Sequence, residues 1–348
     1  MKMLRYLCVA LLSAASFLGA AGPGSAADKL IVSTWGGDWK DMIADTIGKK
    51  FTEETGVEVE YITGGTIDRL NQAKLAGNTS PESDITFTTS HVGWLYKMSD
   101  LYEPLDLAKI PNAAKIFPEG KISDSHLGVW SYVYTIVYRT DLLPAGTTFQ
   151  SWADLWKPEY KSMIGLSDFD PSQIITVAAI LQGGGAADWE VGKDKLTALK
   201  PNVKAYYSSD AVSDQLLTSG ETPIQVMLSM NAFHEVAQGV PVTIAIPKEG
   251  AVMGIDTVAI MKGSKNQELA YKFINAALDP EVQAAVVRRK KGGPMVEGAP
   301  VDPELAKLPG IFTTVEQWKT GAIVIDHKLR SEKLSEWRTW FSENMMAK

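Results

Sequence analysis

The stretch that decides the fold is PVTIAIPKEGAVMGIDTVAIMKGSKNQELAYKFINAALDPEVQAAVV, Pro241 to Val287. Val242, Ile244 and Ile246 alternate with Thr243 and Ala245, which predicts a strand with one apolar face. Pro247-Lys248-Glu249-Gly250 punctuates it, and Ile255, Val258 and Ile260 begin a second extended run that carries Asp256 out of pattern. Ser264 stands three residues before Gln267, a capping-box spacing, and Leu269, Phe273, Ala276 and Ala277 follow at helical intervals, so a helix of about three turns is expected to stop at Leu278. Asp279 then suits an N-cap, Pro280 the first helical position, and Glu281 the positive end of a second helix reaching Arg288. Spacing alone leaves Asp256 free to cap a turn, to pair within the fold or to meet a ligand.

The order of the words IPKEG (246–250), DTVAI (256–260) and SKNQELAYKFINAALDPEV (264–282) resembles the family of periplasmic spermidine/putrescine-type solute-binding proteins that serve ABC importers. SWADLWKPEYK, Ser151 to Lys161, resembles that family almost word for word. The resemblance implies an α/β, two-lobed (type II) periplasmic binding protein fold, each lobe a mostly parallel sheet flanked by helices, with the ligand cleft between them. It divides the chain into a first lobe, 28–135 plus 257–303, and a second, 136–256 plus 304–348, with LGVWSYVYTIVY (127–138) as the first crossing. It also implies that Asp256 faces the cleft and holds an amine, that Trp35 stacks on the ligand, and that Asp168 and Ser209 line the cleft. Three family features are replaced: a second carboxylate by Ser172 or Gln173, a tryptophan by Ser229, and a tyrosine by Gly292-Gly293. Those losses point from a long polyamine to a shorter amine or an amino acid such as a γ-amino acid, with putrescine or spermidine as the alternative.

The start of the chain reads as a secretory signal peptide, residues 1–27: Lys2 and Arg5, an apolar run from Leu7 to Leu18, and small residues at Gly24-Ser25-Ala26-Ala27. Cys8, the single cysteine of the sequence, falls inside it, so no disulfide or thiolate chemistry is expected of the mature chain. Its removal takes two bases and no acid, leaving 32 basic against 41 acidic side chains, a net charge of −9; nucleic acid is excluded as a natural partner. A periplasmic, monomeric protein is expected, working with permease subunits in the inner membrane. About 320 remaining residues exceed one ordinary core, so two domains are the prior.

Leu30 to Thr34 reads as a buried strand, Trp35-Gly36-Gly37 as a turn, and Trp39, Ile43, Ile47 and Phe51 as one face of a helix. The N–H groups of Gly36 and Gly37 at that helix start suit a carboxylate. Trp35 is either a core residue or, as aromatic faces attract cations, a platform for an amine. Val57 to Tyr61 and Asp84 to Thr88 are further strands with the helix Thr66–Ala76 between them, and ligands in such sheets sit at the strands' carboxyl ends. That places His91 beside a ligand or at a plain helix start. Leu334, Trp337, Trp340 and Phe341 share one face of a last helix, Leu334 to Met345.

No enzyme is read from these residues. His234-Glu235-Val236-Ala237-Gln238 lacks the second histidine of a zinc-protease helix, Gly-x-Ser-x-Gly is absent, and Gly183-Gly184-Gly185 lacks the lysine of a phosphate loop. An exported hydrolase, the reading from another class, has no nucleophile and base to support it. No metal or cofactor is called for.

Overall fold

The β-branched and aromatic runs form strands, and the segments of helical period pack on both faces of the sheet they build. The computed structural model describes residues 29–347, so the signal-peptide segment lies outside it. In chain order the elements are β1 (Leu30–Thr34), α1 (Asp38–Ile43), α2 (Lys49–Thr55), β2 (Val59–Thr63), α3 (Thr66–Ala76), β3 (Ile85–Thr89), α4 (Ser90–Met98) and the long β4 (His126–Arg139). There follow β5 (Ile164–Ser167), α5 (Ser172–Ile180), α6 (Lys193–Thr197), β6 (Val203–Tyr207), α7 (Asp210–Thr218), β7 (Ile224–Leu228), α8 (Ser229–Ala237), β8 (Val242–Ala245) and β9 (Ala251–Ile260). The chain closes with α9 (Gln267–Ala277), α10 (Pro280–Lys290), β10 (Gly293–Pro294), α11 (Pro303–Ala306), α12 (Val315–Gly321), β11 (Ala322–Ile323) and α13 (His327–Phe341).

Strand order is β2-β1-β3-β9-β4-β7-β5-β6. The pairs β1/β2 and β1/β3 are parallel at one end, and β5/β6 and β5/β7 at the other. Between them β9 runs antiparallel to β3 and β4, and β4 antiparallel to β7. Two parallel groups joined through two long strands are the two-lobed α/β architecture expected. On β4, His126 to Tyr134 pair with β9 and Tyr134 to Tyr138 pair with β7, so the two ladders overlap at Tyr134.

The core follows the apolar faces. Phe51 of α2 and Phe273 of α9 meet at 5.5 Å, and Phe273 meets Phe87 of β3 at 6.2 Å; each such fully buried ring contributes about 1.5–3 kcal/mol. In the SWADLWKPEYK segment Trp152 and Leu155 are buried, while Trp156 is half-buried and donates to Lys195 O at 2.7 Å.

Several local expectations change. Ser264 is not a helix cap: its hydroxyl donates to Asp84 Oδ1 at 2.7 Å and α9 starts after Asn266. Asp279 does cap α10, accepting from Glu281 N at 2.9 Å. At the basic end of α10, Arg289 and Lys290 both engage Asp38, and Lys290 lies 4.2 Å over the Trp39 ring. The last helix begins at His327, seven residues before the start read from its apolar face. Among the described residues no helix is long and apolar enough to cross a membrane.

Candidate functional site

The turns after β3 and β5 bring Thr89, His91, Phe169 and Asp170 together at the strands' carboxyl ends. Between them β4 presents Tyr132 and Tyr134, which face one way because strand side chains alternate. α13 crosses above and supplies Arg330, Ser331, Leu334 and Arg338. These residues, with the start of α3, enclose a cavity of 230 Å³. It continues past Leu95, Leu334 and Arg338 into an open groove where Asp168 and Ser208 stand.

Arg330 is 3% exposed and forms a buried ion pair with Asp170. Burial alone would push the Asp170 carboxyl up, but the Arg330 guanidinium outweighs it and holds it below the usual carboxylate value. Ser172 N adds a hydrogen bond to Asp170 Oδ1 at 3.1 Å. Arg330 Nε has no partner among the described residues. His91 is buried, and desolvation, with Arg330 beside it, lowers its pKa to about 3, so the imidazole is neutral at every physiological pH. His327 Nδ1, at the start of α13, meets Ser90 Oγ at 2.9 Å and ties that helix to α4.

Behind Tyr132 lies Asp256, 4% exposed. Its Oδ2 accepts from Trp130 Nε1 at 2.8 Å and its Oδ1 from the Tyr132 hydroxyl at 3.0 Å. Burial pushes its carboxyl up to about 7 despite both donors and the charge of Arg69. Asp210, first residue of α7, is pushed up to about 6 by burial and then by the negative charge of Asp170. These acids are short of positive charge, which is what an ammonium group supplies.

A family match with bacterial extracellular solute-binding proteins spans residues 46–313. This chain belongs to that family. It is 28% identical over 299 residues to the spermidine/putrescine-binding periplasmic protein of Escherichia coli, covering 82% of this chain and 84% of the relative. Its fold is similar to that of an ABC transporter protein from Clostridium perfringens, with TM-score 0.78 and 28% identity over 91% of this chain and 99% of that one. It is also similar to the spermidine/putrescine ABC transporter substrate-binding protein of Streptococcus pneumoniae, with TM-score 0.75 and 26% identity over 90% and 99% of the two chains.

In this solute-binding protein the residues singled out by sequence are scattered around the cleft. His91 lines the cavity, and Asp256 sits one side chain behind it. Asp168 faces the outer groove, and the buried carboxylate of that turn is Asp170 instead. Trp35 is half-buried, donates to Thr66 Oγ1 at 2.8 Å and lies 5.8 Å from Trp39. Gly36 and Gly37 are exposed, Gly37 at a φ of 60° that favours glycine. Ser209 caps α7, accepting from Val212 N at 3.3 Å, and Ser229 accepts from Val133 N at the same distance. Sequence reading missed Asp170, Arg330, Tyr132 and Tyr134. The two-residue spacing of the tyrosines was a usable signal; an arginine in the charged helix HKLRSEKLSEWR gave none.

Proposed function

We propose that this protein is the periplasmic receptor of an ABC importer for a short zwitterionic solute, an amino acid whose amine and carboxylate lie several bonds apart. One observation carries the reading: the cavity wall holds Tyr132, hydrogen-bonded to Asp256 whose carboxyl is pushed up to about 7, together with Arg330, whose Nε has no partner among the described residues. An ammonium beside Tyr132 and Tyr134 supplies positive charge near Asp256 and near Asp210, whose charge reaches Tyr134, and a carboxylate fits the guanidinium of Arg330. Periplasmic relatives and the signal-like start of the sequence support export with cleavage near Ala27. The two parallel strand groups act as lobes that hinge at β4 and β9, divided near 135/136 and 256/257, and the closed protein hands its solute to the permease as a monomer.

The names of the relatives favour a second reading, a diamine such as putrescine. Calorimetric titration with γ-aminobutyrate and 1,4-diaminobutane, equal in length, separates the two. Tighter binding of the amino acid supports the proposal; tighter binding of the diamine replaces it with the polyamine reading. Mass spectrometry of the recovered solute should show it unchanged, and turnover would argue for an enzyme.

A further inference from the structure

Arg69 of α3 is a cation buried to 3% exposure. Its Nε donates to Gly64 O at 3.1 Å, and its Nη1 donates to Ser33 Oγ and Thr86 Oγ1 at 3.2 Å each and to Phe87 O at 2.9 Å. All four acceptors are neutral. Among the described residues no carboxylate oxygen comes within 4.0 Å of the guanidinium, and Nη2 is buried without a partner. The charge of Asp256 reaches Arg69 only through space, and a cation taken out of water with no carboxylate in contact and an incomplete set of hydrogen bonds is disfavoured.

The guanidinium borders a cavity of 20 Å³ lined also by Ser33, Gln72, Ser83, Thr86 and Tyr96. That space holds one small species, about one water or one monatomic ion. Ser33 and Thr86 accept from Arg69, so their own hydroxyl protons are left to donate, and the Tyr96 hydroxyl and Gln72 amide add further donors. The one acid on the wall, Glu82, is exposed at the surface, where its carboxylate stays in water.

We propose that this cavity binds a single halide ion, chloride under natural conditions, as the counter-ion of Arg69. Its donors suit a small spherical anion. The site also bears on the cleft: the Arg69 guanidinium lies 5.4 Å over the Trp35 ring, and a bound anion cancels a positive charge behind that ring. On the reading that the solute carries an amine, halide therefore favours solute binding.

The experiment uses the exported protein with sodium bromide in place of chloride. Anomalous diffraction is expected to show bromide touching Arg69 Nη2. The urea midpoint is expected to rise with millimolar chloride or bromide at ionic strength held constant with gluconate, and the rise should vanish in Arg69→Gln. A water-only peak at Arg69 overturns the proposal. So does bromide density with a halide-independent midpoint, the mark of an adventitious ion only. The crystal readout needs no variant to fold, and neither readout needs a solute, so failure here is distinct from failure of the zwitterion reading.

Discussion

Tyr132 stands between Asp256 and the cavity: its hydroxyl donates to Asp256 Oδ1 at 3.0 Å while its side chain forms part of the cavity wall. The carboxylate named from the resemblance is therefore separated from the cavity by a phenol. Both residues lie on β4 and β9, which pair with one another between the two parallel strand groups.

Asp256→Asn tests the cost of that buried carboxyl. Its folded pKa of about 7 exceeds the ordinary 3.8, so the folded state holds the proton more tightly. That contribution is full below about 4 and is lost as pH rises through about 7. Buried His91, His126 and His327, lowered to about 3, 3 and 4 by burial, act in the opposite sense. The quantity to follow is thus the stability difference between wild type and variant in urea titrations from pH 4 to 8. Wild type should lose ground to Asp256→Asn as pH rises, and a flat difference would count against a raised pKa.

Solute binding should release protons. An ammonium entering beside Tyr132 and Tyr134 favours ionised Asp256 and, through space, Asp210, whose pKa values of about 7 and 6 place part of each in the protonated form near pH 6.5. Calorimetry in buffers of different ionisation enthalpy should show net release of a fraction of a proton, with affinity rising from pH 5 to 8. Proton uptake, or none, would contradict an amine at this place.

Breaking the Arg330–Asp170 pair should be costly. Arg330→Met leaves Asp170 buried and unpaired, an expected loss of about 3–5 kcal/mol. Adding Asp170→Asn removes the stranded charge and should recover much of that loss. Chemical denaturation of both singles and the double supplies the coupling; simple additivity would mean that the two charges do not depend on one another.

Gly254 makes room for Tyr132. A Cβ at position 254 would stand 1.9 Å from Tyr132 Cε2, so Gly254→Ala forces the ring off its place. A loss of about 1–3 kcal/mol is expected from overpacking, together with weaker solute binding, because the displaced ring belongs to the cavity wall. Stability and affinity both at wild-type level would show that the ring moves freely.

The sequence by itself determined the elements with a clear period and punctuation. β9, α9 and α10, with Pro280 and the Asp279 cap, follow from local spacing and local backbone needs, and they carry the family word order with them. Pattern marked Asp256 as a lone acid in an apolar strand but left its role open, and only the family resemblance pointed it toward a cleft. The tertiary structure decided which polar groups meet. Asp170 and Arg330 are 160 residues apart, and on its own helix Arg330 looks like any solvated base; only the packing of α13 across both strand groups buries it. Asp168 and Asp170 are two residues apart in a turn, where no period fixes direction, so the fold alone chose Asp170 for the cavity. Arg69 likewise reads as an ordinary helix arginine, and its burial comes from β1 and β3 closing over α3. Local periodicity reports which face of an element turns inward, whereas pairing of charges depends on chain segments whose approach no local pattern encodes.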